Sequence, residues 1–212
     1  MTYHDITNRR IFQQGTRHIS RADSKIRKLI ENTGPIKFTL DRDPFESLVE
    51  AIVSQQLSWQ AARTIFERLK TVLQTEVVDA QSLKNLPISE LRQAGISPQK
   101  VLYLKDLSSR VVSGPLDLNS LKRRPDDEVV QILDEVKGIG MWTAQMYLLF
   151  VLGRPDVLPV SDLGIQLAIQ KIYSLRKLPK AEKIEKIAAN WHPYCSIASL
   201  YLWHAKRNNF EI

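Results

Sequence analysis

The stretch "VKGIGMWTAQMYLLFVLGRPDVLPVSDLGIQ", residues 136–166, decides the fold. Val136-Lys137-Gly138-Ile139-Gly140 separates two helical patterns, "DDEVVQILDE" before it and "MWTAQMYLLFVL" after it. Residues 126–152 therefore read as two helices joined by a tight turn, with the glycines permitting close backbone approach and Ile139 anchoring the turn in a core. The second helix starts right after Gly140. Its first amide groups and its dipole point out of the turn, which suits a phosphate and reads no base. An ordinary helical connection would show the same two glycines, so this pattern alone leaves both readings open. Beyond the apolar run a proline loop leads to Ser161 and Asp162. Ser161 is expected to cap the next helix and Asp162 to stand in its first turn, where the dipole favours an ionised carboxylate. Such an acid either caps without chemistry or opposes positive charge in a reaction.

The rest of the chain is punctuated the same way. "SRADSKIRKLIENTG" puts Ile26, Leu29 and Ile30 on one face and ends at Gly34, predicting a first helix that closes there. In "DPFESLVEAIVSQQLSWQAARTIFERL" Asp43 caps, Pro44 suits the first turn and Glu46 completes an acidic capping-box variant. The polar "SQQLS" interrupts that apolar stripe and predicts a turn between two helices. Gly95 ends a short helix and Ser97-Pro98 starts another. Further helices are expected at about Asp126–Glu135, Met141–Leu152, Ser161–Tyr173, Lys180–Trp191 and Tyr194–Lys206. "PIKFTL" and "VLPV" alternate too briefly for a sheet, so the expected fold is all-α.

The 212 residues, 43% of them hydrophobic, suit one globule of one domain or two interlocked lobes. Thirty basic residues against 23 acidic ones give a net charge of +7, which favours a polyanionic partner such as nucleic acid. A single cysteine, Cys195, excludes an internal disulfide and an iron–sulfur cluster and points to a reducing compartment. The polar N-terminus has no signal-peptide core and no stretch is long enough for a membrane span, so a soluble protein is expected. His4, His18, His192 and His204 show no metal-ligand spacing among themselves and read as structural or solvated.

Residues 136–166 resemble the helix-hairpin-helix and Gly/Pro-Asp loop of a superfamily of DNA glycosylases, and "GRPDVLPVSDLGI" is similar to the version in 3-methyladenine DNA glycosylase II enzymes. "HISRADSKIRKLIENTGP", the segment from Asp43 to Leu69, and "IAANWHPYCSIASLYLWH" resemble the same subfamily, so the likeness runs over about residues 18–206. It implies a two-lobed helical domain over 18–212 with DNA in a cleft between the lobes, preceded by an extension over 1–17. The larger bacterial relatives carry an additional N-terminal β domain, and this chain has the length of the single-domain form.

The resemblance also implies roles. Asp162 matches the catalytic aspartate, although many relatives carry two consecutive acids where this chain has Ser161-Asp162. Trp142 and Trp203 match tryptophans of the base pocket, where an electron-rich indole face attracts a cationic alkylated purine. Trp59 and Trp191 are expected to pack in the core. Leu57 matches the wedge that fills the gap left by a flipped nucleotide, with Gln56 beside the opposite strand. Lys137, Gly138, Gly140 and Thr143 fall where the hairpin meets a DNA phosphate. Members that also nick the strand carry a lysine two residues after the second glycine, where its amine attacks the sugar. That position is Trp142 here.

The expected activity is therefore hydrolysis of the N-glycosidic bond of alkylated purines, 3-methyladenine and 7-methylguanine, leaving an abasic site without lyase activity. No cofactor is required. In relatives the hairpin carbonyls can hold a structural monovalent cation, and here those are Asp134, Val136 and Ile139. The expected partner is double-stranded DNA with alkylated bases, for a monomer in a bacterial cytoplasm or a eukaryotic nucleus. Two other readings stay open: the same fold acting on deaminated or oxidised bases, and a non-catalytic DNA-binding module that uses only the hairpin.

Overall fold

In the computed structural model, residues 6, 8–38, 40 and 43–209 are described, and they form twelve α-helices and one 3-10 turn with no strand among them. The all-α expectation holds. None of these helices is long and apolar enough to cross a membrane. The chain divides into two compact units, residues 41–147 and residues 2–40 with 148–212.

The first unit holds α3 (Pro44–Ser54), α4 (Trp59–Leu73), α5 (Ala80–Asn85), α6 (Ile88–Gln93), α7 (Pro98–Ser113) and α8 (Asp126–Asp134), with the 3-10 turn at Ser120–Arg123. Its starts follow the expected signals: the Asp43 carboxylate accepts from the Phe45 and Glu46 amides, and Ser97 Oγ accepts from Lys100 N. Glu46 departs from its expected capping role, because Lys70 Nζ lies 2.7 Å from its carboxylate and draws it across to α4. Helix α7 is the hub, packing on α3, α5 and α6. The carbonyls at the end of α5 need donors, and Lys105 supplies them. Its ammonium donates to Lys84 O at 2.7 Å, to Leu83 O at 3.1 Å and to Leu86 O, and burial lowers its pKa.

The second unit holds α1 (Arg9–Ala22), α2 (Ser24–Thr33), α10 (Leu163–Ile172), α11 (Ala181–Ala188) and α12 (Cys195–Arg207), and α9 (Met141–Phe150) carries the chain from one unit into the other. Its core centres on α12, which packs on α1, α2 and α10 and buries Ile197, Ala198, Tyr201 and Leu202. Two expectations change here. The expected boundary at residue 17 falls inside α1, which runs unbroken through it and buries Gly15 and Ile19, while Ile6 ahead of it is also buried. Residues 1–5, with His4, lie outside the described part.

The single helix expected to close at Gly34 is two, broken at Asp23. This residue leaves helical geometry at φ −140° and caps α2 by accepting from Lys25 N at 2.9 Å and Ile26 N at 3.1 Å. Its other oxygen accepts from Trp191 Nε1 at 3.0 Å and from the Tyr173 hydroxyl. One carboxylate thus joins α1, α2 and the core tryptophan. Asp23→Ala removes a cap and strands a buried donor, Trp191 Nε1, and a half-buried one, the Tyr173 hydroxyl, so a loss of about 3 kcal/mol is expected. Chemical denaturation measures it. A loss below about 1 kcal/mol, the size of a cap alone, would show that the two donors find other partners.

Candidate active site

The helix after the proline loop starts one residue later than its serine suggests. Asp162, not Ser161, is the N-cap of α10, at φ −70° and ψ 120°, with its own amide donating back to Pro159 O at 3.0 Å. Ser161 stands exposed before it. The carboxylate is better suited to this place, since a charged acceptor satisfies the first-turn amides more strongly than a hydroxyl. Asp162 Oδ1 accepts two hydrogen bonds of 2.8 Å each, from Ile165 N and from Trp203 Nε1. Two donors from α10 and α12 converge on one oxygen and fix the plane of the carboxylate.

Gly164 makes this possible. A Cβ there would stand 2.9 Å from Asp162 Oδ1 and 3.2 Å from Trp203 Cδ1, inside ordinary contact with both partners. Trp203 is half-buried and its ring centroid lies 5.6 Å from that of Phe150, which in turn lies 5.9 Å from Phe38. An aromatic row therefore borders the acid. Gly164, Phe150 and Phe38 were not singled out in the sequence, because their role depends on partners far away in the chain.

The hairpin, α8 to α9, lies in the first unit up to Tyr147. Gly138 has φ +83°, and a Cβ on it would meet the Tyr103 ring at 2.2 Å. Gly140 differs: its added Cβ meets nothing within 4 Å. Lys137 is exposed, and its amide donates to Asp106 Oδ2 at 3.1 Å, tying the turn to α7. Ile139 is buried as expected. Thr143 is also buried, so its side chain packs inside the protein and cannot reach a phosphate. Trp142, on the first turn of α9, is 43% exposed.

Between α3 and α4, Gln56 takes a left-handed conformation at φ +56°, and Leu57 is 40% exposed. Two groups brace this turn. Lys100 Nζ donates to Val53 O and Gln55 O at 2.7 Å each, and Gln55 Nε2 donates to Gly138 O at 2.7 Å. The turn that carries Leu57 is thus fastened directly to the hairpin. Trp191 is fully buried as expected, but Trp59 is 69% exposed. The buried stripe of α4 begins only at Ala62, and in the first turn the Trp59 ring is covered by Arg63, whose guanidinium carbon lies 5.3 Å from the ring centroid.

A family model, that of the HhH-GPD superfamily of base excision DNA repair proteins, matches residues 49–193 and so spans the hairpin, Asp162 and the start of the loop before α12. The chain belongs to the HhH-GPD superfamily. Its sequence is 30% identical over 195 residues to DNA-3-methyladenine glycosylase 1 of Schizosaccharomyces pombe, covering 90% of this chain and 86% of that one. The crystal structure of a Bacillus halodurans DNA-3-methyladenine glycosidase superposes with a TM-score of 0.84 at 33% identity, over 100% of this chain and 95% of that one. A Schizosaccharomyces pombe 3-methyladenine DNA glycosylase in complex with abasic DNA gives a TM-score of 0.84 at 28% identity, over 92% and 97% of the two chains. This HhH-GPD protein thus spans 86% of that relative and 95% and 97% of the two solved chains.

Proposed function

We propose that this chain is a monofunctional DNA glycosylase that removes alkylated purines, 3-methyladenine and 7-methylguanine, from duplex DNA. The observation that carries this reading is the Asp162 carboxylate, held at a helix N-terminus by two 2.8 Å hydrogen bonds beside an aromatic row. Alkylation makes the purine cationic, so it departs with the bonding electron pair as a neutral base. The sugar C1′ gains oxocarbenium character, which the fixed carboxylate opposes; water then adds to C1′ and loses a proton, leaving an abasic site. Trp203 has two roles: its N–H positions the acid, and its face attracts the flipped cationic base by about 1–2 kcal/mol. No lysine stands at the Trp142 position to attack the sugar, which supports hydrolysis without strand cleavage.

The hairpin positions the DNA. Exposed Lys137 and the open space at Gly140 suit close approach of a phosphate to the start of α9, with Gly138 holding the turn. Thr143 contributes through its main chain only. The carbonyl oxygens of Asp134, Val136 and Ile139 form a hard donor set that fits a monovalent cation, and Val136 O, which accepts from Ile139 N at 3.0 Å, keeps its second lone pair. A cation there would add positive charge near the phosphate.

Leu57 is the wedge. A left-handed Gln56 costs about 1 kcal/mol, and this strain persists because Lys100 and Gln55 brace the turn, so that an apolar side chain is presented outward. Leu57→Ala is expected to lower base release about tenfold with no change in melting temperature, since the side chain is exposed. Equal release by the variant would assign Leu57 to the helix connection alone. The function itself is tested by chromatography of free bases released from methylated duplex DNA, with deaminated and oxidised duplexes beside it. Release of 3-methyladenine is the expected result; release only from the other duplexes would move the activity to those lesions.

A further inference from the structure

The last helix of the second unit begins beside three side chains that the glycosylase reaction does not use. His192 Nδ1 lies 2.9 and 2.8 Å from the two oxygens of Asp156 and 3.5 Å from Cys195 Sγ. One ligand atom from each lies within 4.8 Å of the others. We infer that Asp156, His192 and Cys195 form a zinc site at the start of α12, distinct from the Asp162 centre.

The ligand chemistry is that of a borderline-soft divalent cation, combining an imidazole, a thiolate and a carboxylate. Standard Zn–N, Zn–S and Zn–O lengths set tetrahedral edges of about 3.6 Å between nitrogen and sulfur and about 3.4 Å between nitrogen and oxygen. The sulfur–nitrogen separation of 3.5 Å already fits. The carboxylate has to retreat by about 0.5 Å to the zinc edge.

The frame behind the ligands is fixed. Ser196 Oγ donates to Arg154 O at 2.6 Å and accepts from Val157 N at 2.8 Å, while Ser196 N donates to Pro155 O at 3.0 Å. These three bonds stitch the strand of chain around Asp156 onto the first turn of α12. Cys195 N donates to Asp156 Oδ1 at 3.1 Å and so orients the carboxylate. The side chains of His192 and Asp156 are 53% and 31% exposed, so an ion and a fourth, water ligand can enter from solvent. On binding, the cysteine loses its thiol proton to solvent as the metal–sulfur bond forms. The two negative ligands then balance the +2 ion, and the helix N-terminus favours both anions.

The test uses untagged full-length protein, stripped with chelator and titrated with Co²⁺ alone. One equivalent is expected to bind, giving a thiolate-to-cobalt charge-transfer band and visible bands of tetrahedral intensity, both erased by Zn²⁺. Cys195→Ala removes the charge-transfer band. Because Cys195 is buried, His192→Gln on the exposed ring provides a variant that keeps the fold, and its Co²⁺ affinity falls at least tenfold while its methylated-DNA activity stays. Zn²⁺ raises the melting temperature of the wild type and leaves that of His192→Gln unchanged. Absence of the charge-transfer band in wild type, or equal Co²⁺ affinity in His192→Gln, would overturn the site.

Discussion

Asp162→Asn is expected to lower the rate of 3-methyladenine release about a thousandfold while leaving the fold intact. Asparagine is isosteric, and its amide oxygen can take the Oδ1 place, accepting from Ile165 N and Trp203 Nε1 as the carboxylate does. The cap of α10 therefore survives, and only the charge is lost. A unit charge about 4 Å from a developing cation contributes about 4 kcal/mol at the effective dielectric of a protein surface, and each 1.36 kcal/mol is tenfold in rate. Stability should change by less than about 1 kcal/mol, the worth of one cap. The pair of measurements separates two accounts of this acid. A capping residue without chemistry predicts a variant as active as the wild type, and retention of activity within tenfold would establish that account and remove the proposed mechanism. Asp162→Ala makes the control: it loses the cap as well as the charge, so it should be as inactive as the asparagine variant and about 1 kcal/mol less stable.

The position of this acid was legible in the sequence, but its setting was not. A proline loop followed by Ser-Asp and an apolar helical pattern announces a helix start, and it does so without saying which of the two residues caps. That is decided by Trp203, whose indole reaches Asp162 from α12. Gly164 carries no local signal for the same reason, since its absent side chain matters only against Trp203 and Asp162 Oδ1. Helix starts that rest on neighbouring residues, such as Asp43-Pro44 and Ser97-Pro98, were readable in advance. The break at Asp23 was not, because the partners that hold it, Tyr173 and Trp191, come from the other end of the chain. Trp59, expected in the core as a large apolar ring, is 69% exposed. It sits one turn ahead of Ala62, on the line of the buried stripe, but at the helix end, where the Arg63 guanidinium lies over the ring. The Asp156, His192 and Cys195 cluster carries no spacing signal among the histidines, because its side chains are of three kinds and Asp156 lies 36 residues before His192.

Gly138→Ala is expected to cost about 3–4 kcal/mol, and to weaken binding to undamaged duplex DNA along with it. Two penalties add. The backbone at φ +83° costs a residue with a Cβ about 1–2 kcal/mol. The methyl would also stand 2.2 Å from the Tyr103 ring, an overlap that forces a shift worth about 1–3 kcal/mol. In a domain of this size the sum lowers the melting temperature by about 10 °C. The displaced turn would pull on both of its anchors, the Gln55 bond to Gly138 O and the Lys137 amide bond to Asp106. Tyr103→Ala in the same chain removes the overlap and should return the steric share, leaving the backbone share. Gly140→Ala is the counterpart. Its Cβ meets no protein atom within 4 Å and its φ is not positive, so stability should be unchanged. DNA affinity should fall all the same, with a shallower salt dependence, if that open space is where a phosphate approaches the backbone. Melting curves and salt-dependent binding of the two alanine variants distinguish a glycine kept for the turn from a glycine kept for the DNA. Unchanged affinity in Gly140→Ala would remove the phosphate from that place and leave the hairpin as a structural connection.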